Sequence, residues 1–407
     1  MKKAILAFSG GLDTSFCALY LKEELGYDVI TVTVDTGGFT EEELENIKKR
    51  ADELKVLKHY TIDAKSFVYA NFISYIIKAN SMRGGVYPLS VGAERVAQAI
   101  EVVKIAKKEK ADALAHGSTG AGNDQVRFDV SFNVLAPELK ILTPIRSLGW
   151  SRIQEADWLR SRGIEIDPTV QDYSYNEGLW GTTIGGKQTH DPWDFPPEDV
   201  FIKTSPKKDS KKESMEVIID FEKGLPTSLN NKEMKGIEII QYLNELAGKW
   251  GIGRGVHIGD TIFGIKGRII FEAPAPIILI TAHKELEKLV LSKQQRFWKD
   301  HLGQVYGDML HEAQYFDPVM RDIEALIDSS QKYVKGSARV LLKDGSFLVT
   351  GVKSPNSMIK KDLATYGEVQ KLWDWRDAEG FCKVYGIPQR LFNMVNSGFV
   401  EELTEND

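Results

Sequence analysis

The residues best suited to chemistry in this chain lie in one short segment near its start. Residues 7–15 are Ala-Phe-Ser-Gly-Gly-Leu-Asp-Thr-Ser, between an apolar run and a helical pattern. Hydroxyl groups and the backbone N–H groups at a helix start bind phosphate, because both present partial positive charge to an anion. Gly10 and Gly11 let the backbone approach a ligand closely and take positive φ. The segment therefore predicts a phosphate-binding loop and makes nucleotide chemistry the leading hypothesis.

Neither of the two common phosphate loops matches this segment. The pattern Gly-x-x-x-x-Gly-Lys-Ser/Thr is missing because no lysine follows the glycines, and Gly-x-Gly-x-x-Gly is missing as well. The nucleotide hypothesis therefore depends on the combination of two glycines, three hydroxyl groups and one carboxylate within a strand-to-helix connection.

A second polar segment lies about a hundred residues further along the chain. Residues 116–127 are His-Gly-Ser-Thr-Gly-Ala-Gly-Asn-Asp-Gln-Val-Arg, directly after an apolar run. A buried polar group that stays unpaired costs about 1–3 kcal/mol, so a purely structural loop rarely carries this many different kinds. A ligand with carboxylates and an amine would pair with them. This segment therefore predicts a site for a molecule that resembles an amino acid.

Alternating strand and helix patterns position both segments within the first 165 residues. Predicted strands cover residues 4–8, 28–34, 57–62, 111–115 and 139–142, and predicted helices cover 14–25, 41–54, 67–80, 93–108 and 151–161. Such alternation predicts a parallel sheet with helices on both faces, and ligands bind at the carboxyl ends of its strands. Residues 9–13, 35–38 and 116–123 all follow strands, so we expect them to meet at one edge.

The pattern changes after about residue 168. Loops rich in Gly, Pro and aromatic residues run from 171 to 206, and the lysine-rich stretch 203–212 predicts a solvated loop. Strands are predicted at 215–221 and 261–271, and helices at 233–248, 286–297 and 318–333. Asp344-Gly345 predicts a hairpin with a type I′ turn. This half is typical of an α+β domain, and its amphipathic tail, 387–407, predicts packing on another subunit or on its own chain.

Composition and charge exclude several classes of protein. The chain is 42% hydrophobic and 27% charged with a net charge of -6, which argues against nucleic-acid and anionic-membrane partners. No run approaches the ~18 apolar residues of a membrane span. Cys17 and Cys382 offer neither a disulfide framework nor zinc spacing, and the histidines show no metal-ligand spacing. We therefore expect a cytoplasmic protein without a resident metal.

Taken together, the two polar segments resemble those of the argininosuccinate synthase family, within the N-type ATP pyrophosphatase superfamily. The stretches 242–254 and 384–391 add to the resemblance, which is strongest over residues 4–135 and 236–272. It implies a Rossmann-like parallel-sheet ATP pyrophosphatase domain over 1–168 and an α+β synthetase domain over 169–386. It further implies a C-terminal helical oligomerisation arm over 387–407, in a homotetramer.

The resemblance also implies an activity. Members of the family join citrulline to aspartate through a citrullyl-adenylate and release AMP and pyrophosphate, in arginine biosynthesis. Adenylation suits this chemistry because it converts the ureido oxygen of citrulline into a leaving group, which the aspartate amine then displaces. ATP would enter as its Mg²⁺ complex, with the ion bridging phosphate oxygens, and no other cofactor is implied.

Roles carry over to the matching positions of this sequence. The implied ATP-binding residues are Ala7, Phe8, Ser9, Gly10, Gly11, Leu12, Asp13, Thr14, Ser15, Val34 and Gly117. The implied aspartate-binding residues are Thr119, Asn123 and Asp124. The implied citrulline-binding residues are Tyr87, Asn123, Arg127, Ser174, Thr183 and Asp260. Asp13 and Asp124 are the candidate catalytic residues.

Departures from the family pattern leave alternatives open. Gly92 stands where a serine is usual, Ala121 where a lysine is usual and Phe271 where a tyrosine is usual. These changes concern mostly the citrulline end, so an N-acylated citrulline is the alternative substrate. Another N-type pyrophosphatase or adenylating ligase shares the first segment. A non-catalytic nucleotide-binding module is the alternative from a different class, but it leaves the second segment unexplained.

Overall fold

Five parallel strands form the first sheet, as the alternating pattern predicted. The chain is seen here as a computed structural model that describes residues 2–166, 173–204, 214–363, 366–367 and 371–396. The strands are β1 (Lys3–Ala7), β2 (Asp28–Asp35), β3 (Lys58–Asp63), β4 (Ala113–Ala115) and β5 (Lys140–Leu142). They lie in the order β3-β2-β1-β4-β5, and each pair is parallel.

Helices connect these strands and cover the two faces of the sheet. They are α1 (Leu12–Glu23), α2 (Glu41–Glu53), α3 (Lys65–Val68), α4 (Ser74–Ala79), α5 (Gly92–Glu109), α6 (Asn123–Leu135), α7 (Pro144–Leu148) and α8 (Arg152–Arg160). Side chains alternate between the faces along β1, so Ile5 packs in one hydrophobic core while Ala4 and Leu6 pack in another. Burial of both faces explains why the strands are continuous apolar runs.

The strand order also determines where a ligand can bind. From β1 the chain moves to β2 on one side, and it later returns to place β4 on the other side of β1. The connections after β1 and β4 therefore leave the sheet in opposite directions. Between them a crevice opens at the carboxyl ends of the strands. The first polar segment follows β1 and the second follows β4, so both border this crevice.

The second half contains two antiparallel sheets. Its strands are β6 (Tyr173–Gly178), β7 (Gly181–Gly186), β8 (Met215–Glu222), β9 (Leu225–Leu229), β10 (Lys232–Glu233), β11 (Arg254–Asp260), β12 (Lys266–Glu272), β13 (Gly336–Lys343) and β14 (Ser346–Lys353). One sheet has the order β11-β12-β7-β6 and the other β10-β9-β8-β13-β14. The helices are α9 (Gly236–Gly248), α10 (Pro274–Val290), α11 (Lys293–His311) and α12 (Pro318–Gln331). The predicted mixed α/β class is therefore confirmed.

Three local predictions for this half were wrong. The predicted strand 261–271 begins only at residue 266, because residues 261–265 form the turn between β11 and β12. The predicted helix 286–297 spans the junction of α10 and α11, where Ser292 caps the second helix. The β13–β14 turn has positive φ at Gly345 but not at Asp344, so it is not type I′.

The described residues from 357 onward belong to a separate compact unit. Its helices are α13 (Trp375–Tyr385) and α14 (Ile387–Val395), and the latter begins where the arm was predicted to begin. The predicted boundary at 168/169, most of the lysine-rich stretch 203–212 and the tail 397–407 lie outside the described residues. The three-part domain division therefore stays a prediction. Within the described ranges, no helix is long and apolar enough to cross a membrane.

Candidate active site

The two polar loops lie side by side because β1 and β4 are neighbours in the sheet. A Cβ added to Gly117 in the second loop would lie 3.2 Å from Thr14 Cγ2 and 3.5 Å from the backbone of Asp13. Glycine at this position therefore allows the second loop to approach the start of α1. The approach places both loops on the wall of the same cavity.

This cavity has a volume of about 920 Å³, within the range of small-ligand sites. It is bounded by the two loops, the end of β2, the helix α5 and the hairpin β6–β7. The sequence-predicted residues on its wall are Ala7, Phe8, Ser9, Gly11, Leu12, Asp13, Thr14, Val34, Tyr87, Gly117, Thr119, Asn123, Asp124, Arg127, Ser174 and Thr183. The structure thus brings together the residues expected around ATP, aspartate and citrulline.

Three predicted residues have other surroundings. Gly10 has a φ of +74°, and a Cβ there would lie 3.1 Å from Ile47, so glycine serves the turn itself. Ser15 is buried and its hydroxyl donates to the Gly10 carbonyl at 3.4 Å. The Asp260 carboxylate pairs with Lys266 Nζ at 2.7 Å. None of these three described residues lines the cavity wall.

The first loop keeps its hydrogen-bonding groups open. Helix α1 starts after Gly11, and no side chain among the described residues caps it, so its first N–H groups remain available to a ligand. Ser9 and Thr14 place their hydroxyl oxygens 3.2 Å apart at this end. Hydroxyl groups beside uncapped N–H groups are a combination that can bind phosphate oxygens.

Asp13 is the acidic group of this loop. Its Oδ1 is buried and, within the described part of the chain, has no hydrogen-bond partner. Burial raises the pKa of Asp13, against the influence of Arg152, whose Nε lies 3.8 Å from Oδ1. This distance is longer than a hydrogen bond, so the guanidinium is held only loosely. The cavity wall beside the first loop therefore contains an acidic side chain and a loosely held guanidinium group.

The second loop is held by a network of side chains. The Ser118 N–H donates to His116 Nδ1 at 3.1 Å, so the other ring nitrogen, Nε2, carries the hydrogen that Asp129 accepts at 2.9 Å. Arg146 donates to Asp129 at 2.7 Å and to Gln125 at 2.8 Å. Burial opposes ionisation of Asp129, but the bonds from His116 and Arg146 lower its pKa. The loop is therefore fixed to α6 and α7.

Asp124 lies between two arginines. Arg95 Nε donates to Asp124 Oδ2 at 3.0 Å, and Arg127 Nη1 donates to Oδ1 at 2.9 Å. Removal from bulk water opposes ionisation, but the two guanidinium groups outweigh it and lower the pKa of Asp124 to about 2. A carboxylate with such a pKa is a weak proton acceptor. The geometry therefore suits Asp124 for attracting an ammonium group better than for removing its proton.

Arg127 is also fixed from the opposite side by His311, near the end of α11. Arg127 Nε donates to the His311 carbonyl at 3.1 Å, and Nη2 lies 3.2 Å from His311 Nδ1. Burial and the nearby Arg127 lower the pKa of His311 to about 2, so the neutral ring accepts this bond. A Cβ at Gly92 would lie 3.5 Å from both groups. One N–H of each terminal nitrogen remains for a carboxylate ligand.

Several residues of the cavity wall were missed by sequence reasoning. They are Arg95, Gln98, Arg152, Asn176 and His311. Arg95 lies in a helical pattern without a motif, and His311 comes from a helix some two hundred residues away in sequence from the second loop. Neither spacing nor composition marks such residues, because only the tertiary fold brings them to the site.

The fold and the cavity define a class: a HUP-type nucleotide-binding domain followed by a second domain, with a cavity whose wall contains residues from both. Residues 3–165 match the model of the arginosuccinate synthase N-terminal HUP domain, and residues 173–392 match that of the C-terminal domain of the same enzyme. The chain therefore belongs to the argininosuccinate synthase family, a family of ligases.

Curated relatives support this membership over almost the full length. The argininosuccinate synthase of Methanocaldococcus jannaschii is 40% identical over 392 residues, covering 96% of this chain and 98% of that protein. The one of Sulfurisphaera tokodaii is 40% identical over 395 residues, covering 97% and 99%. The one of Brevibacillus brevis is 38% identical over 401 residues, covering 98% and 95%. These matches confirm the family that the two polar segments indicated, and they do not favour the alternative activities.

Proposed function

We propose that this protein condenses citrulline with aspartate to form argininosuccinate, with cleavage of ATP to AMP and pyrophosphate, as a step of arginine biosynthesis. The observation that carries the proposal is the shared cavity. We call the part of its wall that the first loop forms, with open N–H and hydroxyl groups, the phosphate end, and the part that Asp124 and Arg127 form the amino-acid end. Membership of the family supplies the identity of the substrates.

In the first step, the two ends hold the reactants in line. The N–H groups at the start of α1 and the hydroxyls of Ser9 and Thr14 bind the phosphates, and the adenine side lies near Val34. The ureido oxygen of citrulline forms a bond to the α-phosphorus while the bond between the α-phosphorus and the bridging oxygen breaks. Pyrophosphate leaves with that electron pair. Donors aimed at the phosphates stabilise the charge that develops.

In the second step, the amine of aspartate attacks the ureido carbon. A C–N bond forms, the bond from carbon to the adenylate oxygen breaks, AMP leaves with the electron pair, and the protons that the amino group releases pass to the departing phosphate and to water. Thr119 and Asn123 are placed to donate to substrate carboxylates, and Asp124 attracts the amine. Because both oxygens of Asp124 already accept hydrogen bonds from Arg95 and Arg127, which lower its pKa, we assign it to binding and orientation, and not to proton removal.

Mg²⁺ enters this proposal with ATP. Among the described residues, no group of three or more His, Cys, Asp or Glu side chains could hold a metal ion. Mg²⁺ in nucleotide sites is commonly held by phosphates, waters and one or two carboxylates. The carboxylate of Asp13, which lines the cavity and whose Oδ1 has no hydrogen-bond partner among the described residues, fits that role. When bound, the ion would neutralise phosphate charge, and Asp13 would orient it.

The assembly and the location are also proposals. Helices α13 and α14 expose apolar side chains, among them Trp375, Phe381 and Val395. Contact with other copies would remove such side chains from water, which supports a homotetramer in which the arm 387–407 takes part. The substrates are those of central metabolism, which supports a place in the cytoplasm.

A product assay tests the proposed function. Purified protein is incubated with ATP, Mg²⁺, citrulline and aspartate, and AMP and pyrophosphate are measured with either amino acid omitted in turn. We expect both products only when both amino acids are present. Release of AMP without them, or a strong preference for N-acetylcitrulline over citrulline, would contradict the proposal.

A further inference from the structure

A hydrogen bond joins the turn between β11 and β12 to the side chain of Asn123, a predicted substrate-binding residue. The backbone N–H of Ile262 donates to Asn123 Oδ1 at 2.9 Å. Asn123 is the first residue of α6 and lines the cavity, whereas Ile262 lies in the turn between β11 and β12. Because a backbone N–H can only donate, the amide oxygen must face it. The Asn123 NH₂ group is therefore turned away from the turn.

We propose that the Ile262 N–H is a positioning group for the reaction, which rests on the proposed function. It holds the Asn123 amide so that its NH₂ group donates into the cavity, toward the carboxylates of the amino-acid substrates. The turn thereby completes the amino-acid end of the site without itself touching a substrate. Ile262 acts through its backbone, and its side chain is not required.

The hydrogen bonds within the turn do not use the Ile262 N–H. Gly264 N–H donates to the Thr261 carbonyl at 2.8 Å, which closes a four-residue turn with Ile262 in its second position. Thr261 N–H donates to the Ile265 carbonyl at 2.8 Å, and Ile265 N–H donates to the Thr261 hydroxyl at 3.1 Å. The N–H of Ile262 points out of the turn and takes Asn123 as its partner.

The base of the hairpin is fixed as well. Arg83 Nη2 donates to the Asp260 carbonyl at 3.1 Å, and β11 pairs with β12 along seven residues. A fixed hairpin can hold a side chain on another element in one orientation. Asn123 rotates about two single bonds, so without this acceptor contact its amide would sample orientations that turn the oxygen toward a substrate carboxylate. In such orientations the amide oxygen and the carboxylate oxygens would repel each other.

Two substitutions of Ile262 distinguish the role of its backbone N–H from that of its side chain. Ile262→Pro removes the N–H, and proline is favoured at the second position of such a turn. Ile262→Ala keeps the N–H and removes most of the side chain, so it is the matched control. We expect Ile262→Pro to raise the KM for aspartate about 3- to 10-fold. The KM for ATP, the melting temperature and all constants of Ile262→Ala should stay near those of the wild type.

Two results would overturn the inference. One is equal aspartate KM values for the proline and alanine variants. The other is a KM for ATP that rises as much as that for aspartate, since a general distortion would affect both ends of the cavity. Failure of the wild type to release AMP and pyrophosphate would instead reject the proposed function, so the two failures are distinguishable.

Amide hydrogen exchange supplies a second measurement that does not depend on activity or on the proline variant. A peptide that covers residue 262 is followed by mass spectrometry in the wild type and in Asn123→Ala. We expect exchange of one amide to become at least several-fold faster in the variant, because its acceptor is gone. Unchanged exchange of that peptide would contradict the inference.

Discussion

The two ends of the cavity contain carboxylates with opposite electrostatics. At the amino-acid end, Arg95 and Arg127 engage both oxygens of Asp124 and lower its pKa to about 2. At the phosphate end, burial raises the pKa of Asp13, whose Oδ1 lacks a hydrogen-bond partner among the described residues. Asp124 at the amino-acid end thus has its hydrogen-bond partners before a substrate arrives, whereas the phosphate end keeps open groups that a nucleotide and its Mg²⁺ would satisfy.

The largest expected effect on activity is at the amino-acid end. Asp124→Ala leaves two guanidinium groups without their shared partner, and truncating one partner of such a pair costs about 2–4 kcal/mol. We expect kcat/KM for aspartate to fall roughly 30- to 1000-fold, measured by steady-state pyrophosphate release. Binding of ATP, measured by calorimetry, should change little. A parallel loss of ATP affinity would show that the two ends are not separate.

A smaller effect is expected from the network behind the second loop. Asp129→Ala removes the acceptor of both His116 and Arg146, and an unpaired buried partner costs about 1–3 kcal/mol. Chemical unfolding should show that loss of stability, and the KM for aspartate should rise. Asp157→Ala is the control, because the Asp157 carboxylate forms only an exposed ion pair on α8. We expect it to change neither the stability nor the KM for aspartate. Equal behaviour of the two variants would contradict the role of the network.

At the phosphate end, we expect Arg152 to form a strong interaction only when ATP is bound. Arg152→Ala removes a loosely held guanidinium group. No described residue loses a hydrogen bond as a result, so the melting temperature should not change. The KM for ATP should rise at least about 10-fold, since a hydrogen bond to a charged group contributes about 1.5 kcal/mol. Arg160→Ala on the same helix is the control. An unchanged KM for ATP in Arg152→Ala would remove this residue from the phosphate end.

The smallest expected effect concerns pH and a third carboxyl, Glu94 of α5, which accepts a hydrogen bond from Thr36 at 2.8 Å. Burial raises the pKa of Glu94 from 4.5 to about 8. Between these values the unfolded chain releases a proton that the folded chain keeps, so the free energy of unfolding falls as pH rises. Glu94→Gln should remove most of this fall, measured by urea unfolding between about pH 5 and pH 8.

The control for this pH effect is Glu53→Gln, an exposed carboxyl at the end of α2. It should leave the pH dependence unchanged. A Glu94→Gln variant with the same pH dependence as the wild type would show that Glu94 is ionised in the folded protein.

Much of the fold could be predicted because its signals are local. The strand before residue 8, the helix after it and the repeat of that pattern are encoded in neighbouring residues, and parallel-sheet topology then brings the two loops together. The break between α10 and α11 was missed because apolar residues continue through it. Ser292 and Gln295, a capping box, were the available signal.

The rest of the site could not be predicted because its partners are distant in sequence. His311 contacts Arg127 across 184 residues, and Ile262 contacts Asn123 across 139 residues. No periodicity or spacing records such contacts. The same holds for the pKa of Asp124, which is decided by the positions of Arg95 and Arg127 in the folded chain.

The central claim is that one cavity brings the ureido oxygen of citrulline to the α-phosphorus of ATP. Citrulline labelled with ¹⁸O in the ureido group tests it directly, with AMP analysed by mass spectrometry after turnover with aspartate. The account predicts that the label appears in the phosphate of AMP, because that oxygen forms the adenylate and leaves with it. AMP without the label would mean that water or another nucleophile attacked the phosphorus, and would contradict the account.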